Sequence, residues 1–194
     1  MKNIYWTSVE EEAVESAKSM NELADIALGV LESMAAQKKP IVEICGAMST
    51  GGFENDIKQN MALFEAMIDA ATEKGHIVFN QLVFQRAMDR FRPDPSVKHY
   101  AWEILDVFYG KVFASGYIGQ LFFSPNWFTS VGASWELLES FKLRMNRGDY
   151  PINWLPDPWQ QKLFPFQANR FHSVILPTEA ELREYCNSKL KEAA

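Results

Sequence analysis

The chain has 194 residues, 47% of them hydrophobic and 23% charged, with a formal net charge of -6. That composition suits one globular domain with a sizeable core. The acidic balance argues against non-specific binding to nucleic acid or to an anionic membrane surface, but leaves room for a small anionic substrate in a locally positive pocket. No apolar run approaches the roughly 20 residues that span a bilayer. The opening MKNIYWTSVEEEAVES lacks the apolar segment of a signal peptide, so the expectation is a soluble, cytoplasmic protein. Cys45 and Cys186 are far apart, and His76, His99 and His172 are scattered with no CxxC pattern. This implies two reduced thiols and neither a metal nor an organic cofactor.

Ser8 with Glu11 forms a capping-box pattern, and Val9, Ala13, Ala17, Met20, Ala24, Ala27, Leu28 and Leu31 follow at helical spacing. A helix is predicted over 9–37, with a possible break near Gly29 and an end at Lys38-Lys39-Pro40. Ile41–Cys45 is an apolar run that reads as the first core strand. Gly51-Gly52 then marks a loop, and Ile57, Met61, Phe64, Ile68 and Ala71 form the buried stripe of a helix stopped by Gly75. His76–Asn80 reads as a second strand. A short helix is placed within 81–96 and another over about 97–114. Ile118–Phe123 is the third strand, Ser124–Ser130 a loop, and Gly132–Asn146 a helix. The stretch 149–171 is rich in proline and aromatic residues, and a fourth strand is placed near Tyr150–Trp154. His172–Leu176 reads as the last strand, with a final helix capped by Thr178 and Glu181 running to about 191.

Alternating strands and helices imply an α/β fold: a doubly wound, flavodoxin-like or Rossmann-like parallel sheet of five strands with an extra N-terminal helix. The division expected is a helical extension over 1–39 and an α/β domain over 40–194. Ligands of such sheets bind beyond the carboxyl ends of the strands, at the point where strand order reverses. That draws attention to Gly46–Asn55 and Ser124–Glu136.

Those two loops carry a resemblance. Ser130-Val131-Gly132-Ala133-Ser134-Trp135-Glu136 resembles the S/D-x-G-x-x-x-E signature of the nucleoside 2-deoxyribosyltransferase superfamily. Cys45-Gly46-Ala47-Met48-Ser49-Thr50-Gly51-Gly52 is similar to the CGS-(hydrophobic)-x-GG loop of its 2'-deoxynucleoside 5'-phosphate N-hydrolase branch. Asn60 and Phe64, the strand Gly75–Asn80, and Leu105-Asp106 ahead of the third strand extend the likeness over roughly 41–147.

The resemblance implies cleavage or transfer at the N-glycosidic bond of a nucleoside or nucleoside 5'-monophosphate. Glu136 would be the nucleophile and Asp106 the group that protonates or orients the leaving base. Ser130 would contact a 5'-phosphate, with Gly132 and Ser134 beside it at the start of the helix. Gly46, Ala47, Gly51 and Gly52 would let backbone approach sugar or phosphate, and Asn80 and Trp127 would touch base or sugar. Family members commonly build their sites between subunits, so a homo-oligomer is expected, with Trp154, Trp159, Phe164, Phe166 and Phe171 as a lid or a subunit interface. Neither nucleic acid nor membrane is an expected partner.

Plainer readings stand beside these. Glu136 could be an exposed first-turn acid favoured by the helix dipole, Ser130 a simple N-cap, and Trp127, Phe128 and Trp135 core residues. The chain also departs from the pattern. Ala47 replaces the usual serine, Ser49 a basic residue, and Ser115-Gly116-Tyr117 the usual acid before the third strand. These departures leave open a non-catalytic nucleotide-binding or interaction protein. A cytokinin-type phosphoribohydrolase ranks lower because its PGGxGTxxE loop is missing, as does dinucleotide binding because no GxGxxG follows the first strand.

Overall fold

The computed structural model describes residues 5–54, 56–91 and 102–168, together with 180 and 184. Within them a parallel sheet is built from β1 (Ile41–Cys45), β2 (Ile77–Val78), β3 (Ile118–Phe123) and β4 (Arg147–Asp149), in the order β2-β1-β3-β4. Among the described residues there are seven α-helices: α1 (Ser8–Ser16), α2 (Met20–Ala35), α3 (Ile57–Glu73), α4 (Leu82–Asp89), α5 (Gly110–Ala114), α6 (Val131–Lys142) and α7 (Asp157–Ala168). A π-helical turn, Ile104–Tyr109, leads into α5. The fold is α/β and Rossmann-like.

Strand alternation sorts the core into two layers. Ile41 and Cys45 of β1, with Leu121 and Phe123 of β3, face one cluster formed with α1, α2, α4, the π-helical turn, α5 and α6. Val42 and Ile44 face the other, formed with α3, Tyr150, Leu155 and Leu163. Buried on both faces and paired on both edges, β1 is the centre of the molecule. The chain leaves β1 toward β2 on one side and returns through β3 on the other. The β1/β3 boundary is therefore where strand order reverses.

Four expectations shift. The N-terminal helical stretch breaks at Ala17–Ser19, not at Gly29, which lies inside α2. The cause is local. Ser19 accepts a hydrogen bond from the Glu22 amide, and Glu22 accepts one from the Lys18 amide, so a second helix starts there. The first cap is likewise Thr7 with Glu10, one residue earlier than Ser8 with Glu11. The fourth strand lies at Arg147–Asp149 instead of Tyr150–Trp154. The Tyr150 amide makes the last bond, to the Phe123 carbonyl, and Pro151 has no amide to continue. The buried stripe of α3 begins at Asn60, whereas Ile57 is 54% exposed.

The sheet has four strands among the described residues, not five. The expected strand His172–Leu176 and most of the helix after it lie outside them, as do His99, Phe171 and Cys186.

α2 packs on the same core as the sheet. Leu23, Leu31 and Met34 are fully buried alongside Phe84, Phe108 and Val112. Replacing Leu31 with alanine is therefore expected to cost about 3 kcal/mol of the stability of the whole domain, read as a single shifted denaturant transition. A transition confined to the N-terminal helices would contradict that packing.

Candidate functional site

At the β1/β3 boundary three ionisable side chains meet below the surface. Glu43 and Cys45 leave β1 on the same face, and Glu136 comes down from the second turn of α6. All three are buried: Glu43 and Cys45 are 0% exposed and Glu136 4%. Glu136 is thus not the exposed first-turn acid of the plainer reading. The Cys45 thiol hydrogen-bonds its carboxylate, while Oε2 of Glu136 has no partner among the described residues.

Burial sets the electrostatics. Loss of hydration pushes the Glu136 carboxyl up to about 7, partly opposed by the Cys45 hydrogen bond. Glu43 is raised well above the usual carboxylate range, first by burial and then by the negative charge of Glu136. Cys45 is raised by burial and by both carboxylates, so it remains a thiol and a donor. Near neutral pH the cluster is poised with Glu43 and Cys45 protonated and Glu136 able to ionise.

The expected residues around Glu136 divide clearly. Ser130 is the N-cap of α6. Its hydroxyl oxygen accepts from the Ala133 amide, and the Val131 amide donates to Thr50 Oγ1. Ser134 is buried and donates its hydroxyl to the Ser130 carbonyl, a helix-packing role. Gly132 is half-buried at the same helix start. Asp106 projects from the exposed side of the π-helical turn, whose other side, Leu105 and Phe108, enters the core. It shares no buried space with Glu136.

Asn80 is half-buried and accepts from the Leu82 amide at the start of α4. Its neighbour Gln81 turns inward instead. The Gln81 side-chain amide donates to the Ile44 carbonyl at 2.6 Å, where β2 has ended, and its Oε1 is buried without a partner among the described residues. Trp127 is 1% exposed, with its ring edge-on to Phe123 and Phe128. It belongs to the core, as does Trp135, which stacks on Phe113.

Gly46 and Ala47 are buried at the end of β1, and a side chain at 46 would strike Ser124 on the neighbouring loop. The Gly51-Gly52 turn is clamped. Asn60 Nδ2 donates to the carbonyls of Met48 and Gly51, Asn60 Oδ1 accepts from the Phe53 amide, and the Gly52 amide donates to Thr129 Oγ1. Gly52 has φ +72°, and a Cβ there would land on the Asn60 carboxamide. The two loops flanking Glu136 are thus tied to each other by side chains that periodicity alone does not single out.

Among the described residues no group of histidine, cysteine, aspartate or glutamate is arranged to hold a metal ion, and no helix is long and apolar enough to cross a membrane.

The fold and this cluster define a class, a Rossmann-like α/β domain with buried carboxyls at the strand-order reversal. No family model matches the chain, and neither the curated proteins nor the solved structures contain a match to it.

Two measurements check the geometry. Gly52→Ala is expected to cost about 2 kcal/mol or more, from the positive φ and the collision with Asn60. Gly75→Ala, also at positive φ (+86°) but with open space around it, is expected to cost only about 1 kcal/mol. Equal losses would remove the collision. For Glu136 the sign follows from a folded-state carboxyl that holds its proton more tightly than the unfolded chain does. The stability it contributes is fully present below about pH 4 and is lost as pH rises to about 7. Glu136→Gln should abolish up to about 3 kcal/mol of that decline in denaturant titrations across the same window.

Proposed function

We propose that this protein cleaves or transfers at the N-glycosidic bond of a nucleoside 5'-monophosphate or nucleoside, with Glu136 as nucleophile. The observation that carries the reading is the setting of Glu136. It is a buried carboxyl at the strand-order reversal, ionising near neutrality, steadied by the Cys45 thiol and retaining an unpartnered oxygen. A carboxylate that ionises near neutrality and keeps an unpartnered oxygen suits attack on an electron-poor anomeric carbon. In the first step the Glu136 oxygen bonds to the anomeric carbon as the carbon–nitrogen bond breaks, and the electron pair leaves with the base. In the second, water or another base displaces Glu136, giving hydrolysis or transfer. The capped start of α6, with Gly132 half-buried beside Ser130, supplies a dipole that favours an anionic phosphate.

A second reading, nucleotide binding without turnover, draws on the departures from the signature: Ala47 at the buried end of β1 in place of a serine, and Ser115-Gly116-Tyr117 in place of the acid before β3.

The deciding experiment is base release from ribo- and deoxyribonucleoside 5'-monophosphates and the matching nucleosides, followed by chromatography, with and without an acceptor base. Release from monophosphates, reduced at least about a thousandfold by Glu136→Ala, is the expected result. Binding without release from any substrate, unchanged by Glu136→Gln, favours the second reading.

A further inference from the structure

Glu43 has no part in the reaction just described, yet it is the most unusual side chain in the sheet. It stands in the middle of the central strand, 0% exposed, with neither oxygen hydrogen-bonded among the described residues. A charged carboxylate in that position would be heavily penalised, since nothing replaces its lost hydration. Glu43 also shares its face of β1 with Cys45, whose thiol holds Glu136, so the two carboxyls lie in one buried space.

The other ionisable groups on the elements covering that face are engaged elsewhere or point outward. Asp25 of α2 pairs with Lys111 of α5 at the surface, Glu139 of α6 pairs with Lys142, and Asp106 is exposed. Tyr109 is buried in the same core cluster. Among the described residues no cation acts on either carboxyl.

We propose that Glu43 and Glu136 form a pair carrying a single proton, held on Glu43, so that Glu43 is a positioning residue that leaves Glu136 as the one negative charge of the pair. Two carboxylates cannot both ionise in a shared buried space without a cation, and the more deeply buried one keeps the proton. At alkaline pH the second ionisation places two like charges together and the arrangement opens. The pairing stands on burial and placement. Only its kinetic consequence rests on the reading of Glu136 as nucleophile.

The test is a carboxyl carbon-13 titration of the full chain labelled at glutamate, from mildly acid to alkaline pH. The Glu43 signal is assigned by its disappearance in Glu43→Gln or, if that variant fails to fold, in Glu43→Met. The expected result is a Glu43 signal still protonated where Glu136 titrates, moving to lower pH in Glu136→Gln because the like charge has gone. A Glu43 signal titrating with the exposed glutamates, or unmoved by Glu136→Gln, overturns the pair. In base-release assays Glu43→Gln should keep the acid limb of the kcat/KM profile, lose the alkaline limb, and stay within about threefold of wild type at neutral pH. A uniform drop with the alkaline limb retained would mean that Glu43 serves packing only. If no substrate releases base, the glycosidase reading fails while the carbon-13 titration still decides the pair.

Discussion

The structure hangs on one strand. β1 must bury both faces and pair both edges, and Ile-Val-Glu-Ile-Cys does so with β2 and β3 on either side. A strand in that position has no solvent to accept its polar groups, so every bond has to be closed within the protein. The backbone bond from Phe79 to Val42 ends the run of β2, and the Gln81 side chain takes over at Ile44. On the other edge the Ser124 amide closes onto the Cys45 carbonyl. Beyond these last bonds the chain runs into the two loops that flank Glu136, and side chains tie those loops to each other.

These ties are long-range. Gly52 and Thr129 are 77 positions apart, and Val131 and Thr50 are 81. Such ties are tertiary: the pairing of β1 with β3 brings the two loops together. The glycine loop therefore does not take its shape from local preference alone: Gly51 and Gly52 reach positive φ without strain because they lack a Cβ, and the Asn60 clamp selects that conformation.

Much of this architecture is legible in the sequence, for reasons that differ from element to element. β1, β3 and α6 announce themselves because long apolar runs and helical spacing reflect burial directly. The position of β4 is less visible. Its three residues, Arg-Gly-Asp, have no apolar pattern, and the strand exists because β3 offers an edge to it. The break at Ala17–Ser19 is written in caps, a signal that competes with the helical spacing running straight through it.

In the site, Glu136 and Ser130 stand out by spacing. Asn80 draws attention that belongs to Gln81, since the residue after a strand can turn either way. Glu43 passes unremarked inside Ile41–Cys45, a run that reads as apolar. Its importance needed the third dimension, which brings it beside a residue 93 positions away.

The clamp on the glycine loop has one more participant. Phe53, the residue after Gly52, lies against Trp159 and Phe166 of α7, with the Lys162 ammonium over the Phe53 and Trp159 rings and bonded to Gln59 of α3. The helix and the loop therefore share an energetic account in which each lends order to the other. By reciprocity, whatever stiffens the loop from the side of Glu136 tightens the seating of α7 by the same free energy, and whatever lifts α7 loosens the loop. A helix on the outer layer of the molecule is in this way joined to the loop that flanks Glu136.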